Sequence, residues 1–281
     1  MGNFMKRMAV LLVLTAALFI AVPVSAEAKA ANNKLKVNQT YTKYDITGDK
    51  KADTLLISGN WDKEYEEFSS YEVYINGKNV LKKSNKYGPI YSLDIRRLEL
   101  QNGKTFLSIV PGTYNDDVPG AAIYQYKDGK LKQVIDLDAM SKIGYHNSIG
   151  SIKVSGNKIT VKYRVMSYSL GGISFSLDYQ YKNGKMVQKT TNTKVSETII
   201  NYQKKTYWTA NKTMKVLKSP GGKKTATLVK GKKVKIDRIY INMKHNQIYL
   251  HVKIKGGKSG WVKGMTKYPS KTLFKEVMYA G

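Results

Sequence analysis

The chain has 281 residues, 42% of them hydrophobic, so it can bury a sizeable core and wholesale disorder is excluded. It contains no Cys, which excludes disulfides, thiol catalysis and thiolate metal sites. Lys and Arg number 48 against 20 Asp and Glu, a net charge of +28 that favours polyanionic partners. Residues 1–26 read as a secretory signal. Lys6 and Arg7 precede an apolar run over residues 9–22, and Val24-Ser25-Ala26 has the small-residue spacing of a cleavage site. The run falls short of the roughly 20 residues that span a bilayer. The mature chain is therefore expected to be secreted, with no integral membrane span, and to begin with a polar lead-in over residues 27–40.

The next segment is Tyr44-Asp45-Ile46-Thr47-Gly48-Asp49-Lys50-Lys51-Ala52-Asp53, followed by the apolar Leu55-Leu56-Ile57. Carboxylates at Asp45, Asp49 and Asp53 can converge while backbone carbonyls fill the gaps, and Ca²⁺ takes about six to eight such oxygens. The alternative is an Asp-rich turn without metal. The segment resembles the Asp-x-x-Gly-Asp-x-x-x-Asp calcium loop of the FG-GAP/VCBS-type repeats of secreted bacterial proteins. That resemblance implies a β-repeat module with calcium as its one possible cofactor. Lys50 and Thr47 stand where the family usually carries Gly and an acid or amide.

Residues 54–189 alternate between strand and turn. Tyr124-Gln125-Tyr126-Lys127-Asp128-Gly129-Lys130 returns 55 residues later as Tyr179-Gln180-Tyr181-Lys182-Asn183-Gly184-Lys185. A looser copy is Tyr74-Ile75-Asn76-Gly77-Lys78. Each copy is a strand entering a two-residue turn, with Asp-Gly or Asn-Gly supplying the positive φ angles. Further turns are expected at Asn102-Gly103 and Gly156-Asn157. Repetition at this period points to a stacked or propeller-like β architecture. Residues 41–190 are accordingly expected to form a partial propeller or a distorted barrel of hairpins. The alternating tyrosines are expected chiefly to pack, with stacking on sugar rings or nucleobases as the second reading.

Residues 191–205 are polar and weakly patterned and read as a linker. Residues 206–281 form a second all-β unit of short strands, with a turn at Pro220-Gly221-Gly222 and a close at Gly260-Trp261-Val262. This order, with Gly231-Lys232 before Val234, resembles the bacterial SH3-like (SH3b) domain, and implies a small barrel of a kind that often binds cell-wall peptides. Residues 205–281 hold 19 basic residues against only Asp237 and Glu276, so most of the field sits there. Lys232, Lys233, Lys235, Lys253, Lys255 and Lys258 alternate along strands and are expected to share a face. With Trp261 they are the candidate binding residues. The alternative is a solvated edge that blocks strand pairing.

Catalytic signals are sparse. Ser148 lies near His146, but no Gly-x-Ser-x-Gly elbow occurs. Asp116-Asp117 sits in a loop between Pro111 and Pro119, where it could serve glycan hydrolysis or simply solvate a turn. His146, His245 and His251 lack the neighbours of a zinc set and read as solvent-facing. No catalytic residue is assigned. The expected function is a secreted, non-catalytic binding protein attached to anionic cell-wall polymer or peptidoglycan. A wall-active hydrolase and an extracellular nucleic-acid binder are the alternatives.

Overall fold

The computed structural model describes residues 30–84, 88–115 and 117–279. Asp116 and the residues read as a secretory signal lie outside them. The described chain is built almost wholly of strands, as the alternation of apolar and polar residues requires. The first nine are β1 (Ala31–Leu35), β2 (Gln39–Tyr44), β3 (Asp53–Asp62), β4 (Glu67–Ile75), β5 (Lys78–Ser84), β6 (Ser92–Glu99), β7 (Thr105–Gly112), β8 (Ala122–Lys127) and β9 (Lys130–Asp136). They form two antiparallel sheets, one ordered β2-β3-β4-β5 and the other β1-β6-β7-β8-β9.

The remaining elements are β10 (Gly144–Ser155), β11 (Lys158–Ser167), β12 (Gly171–Lys182), β13 (Lys185–Gln188), β14 (Asn192–Thr198), the single helical turn α1 (Ile199–Tyr202), β15 (Trp208–Thr209), β16 (Met214–Leu217), β17 (Lys224–Leu228), β18 (Lys233–Asn242), β19 (Gln247–Ile254) and β20 (Ser259–Lys263). They make one eleven-stranded sheet ordered β10-β11-β12-β14-β18-β19-β20-β16-β17, with β13 added to β12 and β15 to β18.

The five-stranded sheet is the middle layer, and its sequence shows why. In β7, Leu107 and Ile109 join Ile57 and Val73 of the four-stranded sheet, whereas Phe106 and Val110 join Val161 and Phe175 of the eleven-stranded one. A strand buried on both faces reads as a continuous apolar run rather than an alternation. The eleven-stranded sheet has only one such face: Tyr163, Phe175, Ile239, Leu250 and Val262 point into the core.

All three sheets run from one free edge to another, so none is closed into a barrel. This overturns the SH3-like resemblance of residues 206–281. β20, with the Gly260-Trp261-Val262 signature, lies inside an open sheet between β19 and β16 instead of sealing a small barrel. It also overturns the β-repeat resemblance with its partial propeller or distorted barrel. The repeated Tyr-containing hairpins do form, with nearly identical turns: φ is 53° and 75° at Asp128-Gly129, 51° and 75° at Asn183-Gly184, and 51° and 75° at Asn76-Gly77. They occupy non-equivalent places, β8–β9 at the edge of one sheet, β12–β13 on a branch of another and β4–β5 at the edge of the third. The repeat is therefore shared turn chemistry and not a repeated blade.

The stretch expected to be a linker carries β14, which pairs with β12 on one side and β18 on the other. Among the described residues no helix is long and apolar enough to cross a membrane.

Candidate functional site

The Asp-rich loop spends its carboxylates on its own backbone. Asp53 is buried at the start of β3 and accepts N–H bonds from Ile46 at 2.7 Å and Thr47 at 2.8 Å, and one from Asn76 Nδ2 at 2.7 Å. Burial by itself pushes this carboxyl up, but those bonds outweigh it and hold the pKa below the ordinary value. Asp45 accepts from the N–H groups of Gly48 and Lys50, and Asp49 from that of Lys51. The bond to Lys50 holds that residue at φ 69°, a conformation that glycine adopts freely. Among the described residues no group of three or more His, Cys, Asp or Glu is placed to hold a metal ion. The three aspartates thus act as acceptors that shape the turn.

The six candidate lysines are all exposed. Lys235 of β18 lies directly opposite Lys253 of β19, and the N–H of Lys255 donates to the carbonyl of Lys233. Like charges opposite one another in a strand pair repel. Lys253 is compensated by Asp237 at 2.7 Å. Burial raises the Asp237 carboxyl, yet the bonds from Lys253 and His251 leave its pKa lowered. Lys235 and Lys255 instead flank the ring of Tyr207, at 5.3 and 5.5 Å from its centroid. Among the described residues Lys232, Lys233, Lys235, Lys255 and Lys258 make no ion pair.

Trp261 is 8% exposed, yet it belongs to the outward face, since Gly260 and Val262 beside it point inward. Arg238, His251 and Trp261 form one row across β18, β19 and β20. The Arg238 guanidinium lies 5.9 Å from the Trp261 ring, and Tyr240 and His251 pack on the same ring. The tryptophan thus organises an aromatic patch among the lysines. His251, expected to face solvent, is buried with Nδ1 2.7 Å from Asp237.

An open cleft of about 690 Å³ lies on the same sheet, over β10, β11, β12 and β14. Its floor is a row of directly opposed residues, Ser148, Arg164, Ser174 and Glu197, one from each strand. Glu197 is held by Lys162 at 2.7 Å and by the Ser174 hydroxyl at 2.6 Å, and these bonds lower its pKa. Arg164 has no ion-pair partner within 4 Å among the described residues.

On the β10 side, Asp117 pins its loop to the sheet. It contacts His146 Nδ1 at 2.6 Å and accepts the Asn147 N–H at 3.0 Å. Beneath them Asp138 binds Asn147 and the Gly120 N–H, and its burial pushes the carboxyl up. The pinned loop presents Tyr114, and α1 on the β14 side presents Tyr202; they are 86% and 87% exposed. Beyond His146 an aromatic row continues through Tyr145, at 4.3 Å, to Tyr279 and Tyr268. Burial and the neighbouring tyrosines push the Tyr279 hydroxyl up to about 12. No hydrogen bond joins Ser148 to His146 among the described residues, so the arrangement lacks a formed nucleophile–base pair.

The sequence singled out Ser148 beside His146, and Asp117 separately, and the fold brings the three to one cleft. Arg164, Glu197, Tyr202 and Tyr207 were not singled out. For Arg164 and Glu197 the only signal is polar alternation, which any half-exposed strand shows, and Tyr202 and Tyr207 lie outside the strands altogether. Compared with known proteins, the chain matches no family model, no curated relative and no solved structure.

Proposed function

We propose that this chain is exported and binds an anionic polymer of the cell wall through the outward face of β18, β19 and β20, in a role that needs no catalysis. The observation that carries the reading is the set of exposed lysines without ion-pair partners, two of them clasping Tyr207, on one face of an open sheet. Crowding like charges on opposed strands costs stability, and a bound chain of phosphates or carboxylates offsets it. Arg238 beside Trp261 adds a planar donor fork for the same groups. The signal read over residues 1–26 supplies the export.

The test is co-sedimentation of residues 27–281 with purified cell walls, with and without their teichoic acid, across a salt series. The reading expects binding that weakens with salt and with removal of the phosphate polymer. It expects a K233Q/K235Q/K255Q variant to lose most of that binding. Undiminished binding by the variant would sink the assignment of this face. Stronger competition by DNA than by free teichoic acid at equal salt would move the partner to nucleic acid.

A further inference from the structure

We infer that the cleft over β10, β11, β12 and β14 is a second site, separate from the lysine face, and that it binds a short acidic saccharide. Its volume of about 690 Å³ lies in the range of small-ligand sites, roughly 300–1,000 Å³. Like most such sites it has apolar side chains in its lining, here Met166, Ile173 and Ile199, and its polar groups are concentrated in the floor. The floor offers the Arg164 guanidinium and the Ser148 hydroxyl in one cross-strand row with a Glu197 carboxylate that the buried Ser174 hydroxyl holds in place, a mixture of donors and acceptors suited to a ligand rich in hydroxyls.

Among the described residues two carboxylates line the cleft, Asp117 and Glu197, and each is already bonded within the protein, to His146 and to Lys162, so the selection of the acidic member of that class falls to Arg164. Glu197 is already engaged by Lys162 and Ser174, so it does not compensate Arg164 by direct contact. The planar fork of Arg164 is thus free to take a carboxylate or phosphate oxygen pair. His146 is oriented the same way. Asp117 occupies its Nδ1 and leaves Nε2 for a ligand hydroxyl.

The walls supply what a sugar ring needs beyond hydrogen bonds. Tyr114 and Tyr202 stand at the two ends of the row and are almost fully exposed, which leaves their ring faces open to a ligand, and the Tyr114 ring is braced by that of Tyr91. The four strands between them span about 14 Å at the usual spacing of ~4.8 Å, enough for a short oligosaccharide and more than a lone anion requires. The apolar C–H faces of pyranose rings fit such flanking aromatic surfaces. The ring row through Tyr145 and Tyr279 extends the platform past His146.

The experiment is calorimetric titration of residues 27–281 carrying K233Q/K235Q/K255Q, so that the lysine face does not mask the cleft. Probes are a trimer of galacturonic acid, the neutral trimer maltotriose, and acetate. The expected result is binding of the acidic trimer, with Kd at least tenfold weaker for maltotriose and for acetate. Adding R164Q is expected to weaken the acidic trimer at least tenfold, and Y202A several-fold, with thermal midpoints unchanged. Equal binding of maltotriose, equal binding of acetate, or an unchanged Kd in both R164Q and Y202A would overturn the inference. Because Lys233, Lys235 and Lys255 are replaced throughout and R164Q and Y202A lie in the cleft, these outcomes report on the cleft, and the wall-binding reading stands or falls on sedimentation.

Discussion

The five-stranded sheet and the C-terminal strands of the eleven-stranded sheet solve opposite problems with the same strand geometry. In β7 both faces are buried, and Phe106, Leu107, Ile109 and Val110 follow almost without a polar break. In β18 and β19 one face is buried, and Lys233, Lys235, Lys253 and Lys255 alternate with Val234, Val252 and Ile254. The middle layer is specified by packing, so its residues answer for stability. The lysine face is nearly free of packing constraints, so its residues are available for a partner. Substitution should separate the two regions cleanly.

The largest effect is expected in the middle layer. Phe106→Ala or Leu107→Ala removes a side chain that is essentially inaccessible to solvent and should cost about 3–5 kcal/mol in urea denaturation. A loss under about 1 kcal/mol would mean that this layer is not the joint core of the other two. Next comes Asp53→Asn, which weakens a set of charge-assisted bonds and should cost about 2 kcal/mol at pH 7. The folded pKa of Asp53 is lowered, so its contribution is present above the unfolded carboxyl value near ~3.9 and is lost as pH falls through the folded value. The gap between Asp53→Asn and the parent should therefore close below about pH 4, as followed by denaturation at several pH values.

Gly129→Ala forces a side chain into φ 75° at the β8–β9 turn and should cost about 1 kcal/mol of stability, seen as a lowered thermal midpoint. The same change at Gly184 should cost a similar amount, because the two turns share their angles. The smallest effect on stability belongs to K233Q/K235Q/K255Q, where relief of like-charge repulsion should raise stability by no more than about 0.5 kcal/mol. A large loss there would erase the contrast between a packed region and a free one.

The all-β character and the turns were legible because alternation and Asn-Gly or Asp-Gly pairs act locally. Asp128-Gly129 and Asn183-Gly184 fix their own angles whatever surrounds them. The architecture was not legible for the same reason: identical hairpins are compatible with a blade, a barrel or the edge of an open sheet. Gly260-Trp261-Val262 resembled a barrel closure, but only long-range pairing of β20 with β19 and β16 decides where that strand lies. Calcium-like spacing at Asp45, Asp49 and Asp53 was equally local, and the structure resolves it into backbone acceptors. The cleft was the least visible feature, since Ser148, Arg164, Ser174 and Glu197 become neighbours only through the register of four strands.

β14 has a mechanical consequence. It pairs with β18 only over Asn192, Thr193 and Lys194, and with β12 only over the remainder of its short length, whereas β11 and β12 are laddered from end to end. A tensile load applied between β18 to β20 and the layers packed beneath β10 to β12 converges on this narrow seam within the sheet. Under pulling, the chain should part there first, as a discrete extension step before the middle layer yields, and the seam would act as a built-in mechanical fuse.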